Sequence, residues 1–178
     1  MITIASLRDK HAGRPGAVLG GGPSLQADLA QVPPGAVLIS VNQHAVQHVW
    51  TNYLVFLDEP GRYPAMLDLI NTYQGAKVSP LREWSDVDLD GADYWRGNFS
   101  SHLACWLACW LGCDPVLLCG MDCYQGPRPP DADPRDNAYN TPLAEHLEGW
   151  RLALERCPNA GVIRAVSGPL VEIFGAFP

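Results

Sequence analysis

The junction Val18-Leu19-Gly20-Gly21-Gly22-Pro23-Ser24-Leu25 constrains this chain more than any other stretch. An apolar run enters three glycines, which let a backbone turn sharply and approach a neighbour closely. It leaves through a proline and a serine suited to opening a helix. A helix N-terminus of that kind offers unpaired N–H groups and a partial positive charge to an anion. Gly20, Gly21, Gly22, Pro23 and Ser24 are therefore expected to cradle a phosphate. The Lys-Ser/Thr ending of a P-loop is absent, and Leu25 stands where a dinucleotide fingerprint has its third glycine. A tight turn holding no ligand is the alternative, because Gly-rich strand-to-helix turns also arise for steric reasons.

Strand-like and helix-like segments alternate along the rest of the chain. Ala17–Gly20, Ala36–Val41, Tyr53–Asp58, Ala76–Ser79, Pro115–Gly120 and Val162–Val166 read as strands. Helices are expected at Ser24–Gln31, near Gln43–His48, near Tyr63–Thr72, from Ser100 to Leu111 and from Thr141 to about Arg156. That order builds a doubly wound, mainly parallel Rossmann-like sheet with helices on both faces. With 178 residues, 47% of them apolar, the chain has enough core for one domain spanning residues 1–178. The opening decapeptide reads as a polar lead-in, and Glu83–Tyr94 as an irregular acidic excursion. Ser100–Leu111 is apolar around nearly its whole circumference, which places a helix there between layers or at a contact between two copies of the chain. Residues 123–140, dense in Pro and Asp, are long enough to form a lid.

The formal charge of −7 and the lack of a basic run argue against nucleic acid or an anionic membrane as partner. The start is too polar for a secretory signal and no segment is apolar enough to span a bilayer, so the expectation is a cytoplasmic protein. The six cysteines contain no C-x-x-C pair, and buried reduced thiols are expected.

Ligands of parallel sheets collect at the carboxyl ends of the strands. The polar residues there are the Gly20–Ser24 loop, Ser40 and Asn42, Asp58 and Glu59, and Asp122, Tyr124 and Gln125. Asn42 suits a base or ribose, or the closing of a turn; Asp58 suits a ribose hydroxyl or a metal, or a turn before Pro60-Gly61. Asp122 follows a buried strand, where a carboxylate needs a partner. Ser100 and Ser101 stand where they can cap a helix or bind a second anion. His146, in a helix just after the proposed lid, has the chemistry of a general base, although Leu143, His146, Leu147, Trp150 and Leu154 also form one packing stripe. HExxH is absent, and no tightly bound catalytic metal is expected.

Three segments carry a resemblance: Gly20-Gly21-Gly22-Pro23-Ser24-Leu25, Ser40-Val41-Asn42-Gln43, and Leu118-Cys119-Gly120-Met121-Asp122-Cys123-Tyr124-Gln125 after a Ser-bearing apolar helix. Together they resemble a superfamily that includes bacterial sialyltransferases, the motility accessory factor glycosyltransferases and archaeal 6-hydroxymethylpterin diphosphokinase. The match covers roughly residues 11 to 125. The resemblance implies that Gly21, Gly22, Pro23 and Ser24 hold a nucleotide phosphate, that Asn42 helps hold the nucleotide, and that Ser100 or Ser101 lies near the donor. It implies further that Tyr124 lies near the reacting centre, with Tyr139 and His146 the nearest equivalents of the sialyltransferase lid tyrosine and base. The expected activity is transfer of a sugar from a CMP- or UDP-linked donor to an acceptor hydroxyl. Two alternatives stand beside it: ATP- and Mg²⁺-dependent diphosphoryl transfer through Asp58 or Asp122, and nucleotide binding without catalysis. The Arg128–Asn137 run departs from the sialyltransferase lid, and Gly21 stands where those enzymes commonly have Asn.

Overall fold

The computed structural model describes residues 1–94, 99–125 and 137–178. Six parallel strands form the main sheet: β2 (Gly16–Leu19), β3 (Val37–Val41), β4 (Tyr53–Val55), β5 (Ala76–Val78), β7 (Val116–Cys119) and β8 (Ile163–Ala165). Their spatial order is β5-β4-β3-β2-β7-β8. The chain therefore builds outward from β2 in one direction and then crosses back to lay β7 and β8 on its other side. The switch point lies between β2 and β7, which pair from Gly16 opposite Val116 to Leu19 opposite Cys119. Both strands are buried along their whole length, as expected of central parallel strands covered on two faces.

Among the described residues, five α-helices complete the architecture: α1 (Leu25–Leu29), α2 (Pro64–Thr72), α3 (Ser100–Trp110), α4 (Leu143–Leu154) and α5 (Val171–Phe174). On one face, α3 packs across β2, β3, β4 and β7, with α4 beyond it. On the other, α1 places Leu25 and Leu29 against Ala17, Leu19, Leu117 and Cys119, while α2 sets Met66 and Ile70 against Leu54 and Phe56. This is a Rossmann-like α/β arrangement. The apolar circumference of α3 is explained by its place: Leu103, Ala104, Cys105, Trp106, Leu107 and Ala108 are all buried in the main core. Among the described residues, no helix is long and apolar enough to cross a membrane.

The helix α3 ends where Gly112 takes a left-handed φ of 77°. The Cys113 amide then donates to the Ala108 carbonyl at 3.1 Å and the Gly112 amide to Cys109 at 3.0 Å, so two otherwise open carbonyls are satisfied.

Some boundaries differ from the sequence expectation. The first helix spans Leu25–Leu29, shorter than Ser24–Gln31, and the element near Gln43–His48 is a single 3₁₀ turn over Ala45–Gln47. The polar lead-in and the acidic excursion are less irregular than expected. They contribute β1 (Ile2–Thr3) and β6 (Val87–Asp88), which pair in parallel as a second small sheet. A 3₁₀ turn over Ile4–Leu7 buries Ile4 and Leu7 in the main core, and the Trp110 indole N–H donates to the Ile4 carbonyl at 2.8 Å. The central part of the expected lid, residues 126–136, lies outside the described residues, as does Gly97-Asn98 ahead of α3.

Candidate functional site

The loops after β2 and β7 meet at the switch point. The Gly20 amide donates to the Cys119 carbonyl at 2.8 Å and the Gly22 amide to the Gly120 carbonyl at 2.9 Å. Contact this close explains the glycines. A Cβ on Gly20 would run into the Gly120 carbonyl oxygen, one on Gly21 would sit 2.6 Å from the His44 ring, and one on Gly22 would collide with the Asp122 carboxylate. Gly21 and Pro23 are exposed, and Gly22 and Ser24 half-buried.

Asp122 occupies the position the sequence suggested for an anion. One carboxylate oxygen accepts the Ser24 amide at 3.2 Å and the Ser24 hydroxyl at 2.8 Å. That hydroxyl lies also 3.0 Å from a carboxylate oxygen of Asp28, which in turn accepts the Gly120 amide at 2.8 Å. A hydroxyl carries one hydrogen, so two carboxylates compete for it. Ser24 makes no cap bond to its own helix and instead ties α1 to the end of β7. Asp28, only 1% exposed, was missed by sequence reasoning. Its sole sequence signal is a carboxylate four residues after Ser24, inside a helix otherwise read by its leucines.

Asn42 follows β3 with a left-handed φ of 54°, its amide donates to the Val55 carbonyl at 3.0 Å, and its own carbonyl accepts the Ser40 hydroxyl at 2.8 Å. This is the turn-closing geometry that Asn tolerates better than most residues. Asp58 is exposed beyond the end of β4. Ser100 begins α3, and its buried hydroxyl accepts the Leu57 amide at 3.1 Å, so it serves the β4 terminus; Ser101 is half-buried beside it.

The loop after β7 continues into an aromatic cluster. Cys123 and Tyr124 both have left-handed backbones, with φ of 49° and 58°, a strained pair for residues with bulky side chains. The strain turns Tyr124, 38% exposed, onto the His146 ring, with centroids 5.2 Å apart and planes inclined by 22°. Tyr139 meets Tyr124 edge-on at 4.9 Å, and Phe99 lies 5.3 Å from His146. Tyr124, Tyr139 and His146 thus come together. The His146 ring is 3% exposed, and its Nε2 donates to the Ala138 carbonyl at 3.0 Å. A carbonyl only accepts, so Nε2 carries the proton and is not the atom that would receive one. Beneath this group His102 is buried against Trp150 at 4.6 Å, and neither ring nitrogen has a hydrogen-bond partner. Burial, followed by the nearby charge of His146, lowers its pKa to about 4.

No protein-family model, curated protein or solved structure matches the chain.

Proposed function

We propose that the chain is a nucleotide-dependent transferase of the sialyltransferase-like kind, taking a nucleotide sugar at the carboxyl ends of β2, β3 and β7 and passing the sugar to an acceptor hydroxyl. The observation that supports it is the convergence at the switch point of the Gly20–Ser24 loop with the Asp122–Tyr124 segment. Open parallel sheets bind their ligands in that crevice. In this reading the acceptor oxygen attacks the sugar carbon, and the bond to the donor phosphate breaks with its electron pair. Tyr124 and Tyr139 donate to the departing phosphate. His146 holds Tyr124 by stacking, and its Nδ1, which carries the lone pair while Nε2 donates to Ala138, takes the acceptor proton.

A second reading, Mg²⁺-dependent diphosphoryl transfer from ATP, is favoured by the two carboxylates that meet at the Ser24 hydroxyl. A phosphate entering beside Asp122 would face like charge, which a divalent cation bridging carboxylate and phosphate relieves.

A thermal-shift panel of CMP, UDP, GDP, ATP and CMP-sialic acid, with and without Mg²⁺, tests both, because a ligand of the native state raises the midpoint by mass action. A metal-independent rise with a cytidine or uridine ligand supports sugar transfer. A rise with ATP that needs Mg²⁺ and disappears in Asp122→Asn moves the assignment to diphosphoryl transfer. No rise with any of them overturns nucleotide binding. Asp122→Asn is the cleaner variant, since a side chain at Gly22 strikes Asp122 before any ligand is involved.

A further inference from the structure

A second constellation stands apart from the switch point. Cys105 and Cys109 lie one turn apart on α3 and so share a face of the helix. Cys157 reaches them from the turn after α4, where its amide donates to the Leu154 carbonyl at 3.0 Å. The three sulfur atoms all lie within 4.8 Å of one another. Cys105 and Cys109 are buried and Cys157 partly so, and all six cysteines are free thiols.

Buried thiols often pack simply as small apolar groups. Two observations go beyond packing here. Three sulfurs from two separate segments converge on one point, and two metal–sulfur bonds of about 2.3 Å at a tetrahedral angle require sulfurs roughly 3.8 Å apart, inside the observed limit. A cleft of about 320 Å³ also runs to the cluster, with Cys109 itself in the wall beside Arg8, Asp9, Asp114, Pro158 and Asn159. The cleft supplies an entry path, and with Arg8 paired to Asp9 at 3.9 Å its wall keeps the negative charge of Asp114.

We propose that Cys105, Cys109 and Cys157 form a three-thiolate site for a thiophilic metal ion, with a fourth coordination position open to the cleft. Soft thiolates select zinc-like and cuprous ions over magnesium or calcium. Each ligating thiol gives its proton to solvent, so uptake releases protons and weakens as pH falls.

The test is titration of the reduced, metal-free full chain with Co²⁺ under anaerobic conditions. Thiolate-to-cobalt charge-transfer and tetrahedral ligand-field bands should saturate at one ion per chain and bleach on adding Zn²⁺. They should be lost in Cys157→Ser and kept in Cys113→Ala, a residue that lines the same cleft but lies outside the trio. Far-UV circular dichroism establishes that each variant is folded. Should Cys157→Ser fail to fold, alkylation of Cys157 in the wild type decides, since Zn²⁺ at one equivalent should slow it at least tenfold. Absence of the bands, their persistence in folded Cys157→Ser, or an alkylation rate indifferent to Zn²⁺ overturns the proposal.

Discussion

Replacing Gly22 with alanine tests whether the glycine loop is shaped by Asp122. The new Cβ would strike one Asp122 carboxylate oxygen and lie 2.7 Å from the Gly120 carbonyl oxygen and 2.8 Å from the Asp122 carboxyl carbon. The Gly120 backbone is held by Asp28 at its amide and by the Gly22 amide at its carbonyl, so the cheaper relief is for Asp122 to swing away, which breaks its bonds to the Ser24 amide and hydroxyl. A hydrogen bond to a charged acceptor is worth about 1.5–3 kcal/mol. Ser24 is half-buried and its hydroxyl keeps Asp28 at 3.0 Å, which puts the loss of Asp122 near the lower end. Asp122→Ala should therefore cost about 2 kcal/mol. Gly22→Ala should cost about 3 kcal/mol, because crowding against Gly120 adds overpacking. In the double variant the Asp122 bonds can be lost only once, so the total should stay near 3 kcal/mol, a coupling of about 2 kcal/mol. Urea unfolding of the four proteins at pH 7, with m-values checked for equality, measures the cycle. Two single costs that simply add, or a Gly22→Ala protein within 0.5 kcal/mol of the wild type, would falsify the claim that Asp122 and Gly22 share one space.

Three further outcomes follow from the packing. His102 is 2% exposed and its pKa falls from 6.5 to about 4 on folding, so the unfolded chain binds the extra proton. That stability is full above about pH 6.5 and is lost as pH falls towards 4, amounting to about 3 kcal/mol. His102→Leu should flatten the dependence of stability on pH in that window, so that the wild-type-minus-variant difference falls by about 3 kcal/mol from pH 6.5 to 4, and an unchanged slope in urea titrations from pH 7 to 4 rules the assignment out. His146→Leu removes the donor to the Ala138 carbonyl and should cost about 1–2 kcal/mol, with faster amide exchange through Asn137–Asn140; unchanged exchange there counts against His146 as the anchor. Trp106, 1% exposed, stacks on Trp110 at 5.1 Å and meets Tyr94 at 5.7 Å within the main core. Trp106→Ala should cost about 3–5 kcal/mol by denaturant unfolding, and a loss below 1 kcal/mol would mean that the helix is not sandwiched.

The main sheet was legible because buried parallel strands leave continuous apolar runs, such as Val116–Cys119, and because Gly and Pro punctuate them. The all-round apolarity of Ser100–Leu111 likewise announced a helix with no solvent face. The small sheet was not legible. Its two strands have two residues each, too short for any period, and Ile4 and Leu7 look polar-flanked until the Trp110 indole and the main core are seen around them. At the candidate site, Tyr124, Tyr139 and His146 could be named from the sequence, whereas their ring contacts and the partners of individual polar atoms could not. Ser24 reaches Asp122 and Asp28 reaches Gly120 across β7, contacts set by sheet order alone. Ser100 was read as a cap or anion ligand, yet its hydroxyl serves an amide from another strand.

Glycine in a strand-to-helix turn answers to two demands that a sequence does not separate: approach of a ligand, and approach of another backbone. Here Gly20 and Gly22 are explained by the second, since the end of β7 lies against them. The glycines alone therefore carry less weight for a nucleotide than the polar groups converging beside them. Those groups bear an acidic bias, with Asp122 and Asp28 both on Ser24 and the Gly20 and Gly22 amides already bonded to β7. A phosphate bound at this switch point must displace Asp122 or share a cation with it. The first route leaves a carboxylate to find new partners, at a cost that lowers affinity; the second makes affinity depend on a divalent ion. The Asp122→Asn variant separates them: it should tighten metal-free binding if displacement is the barrier, and abolish metal-dependent binding if the carboxylate holds the ion.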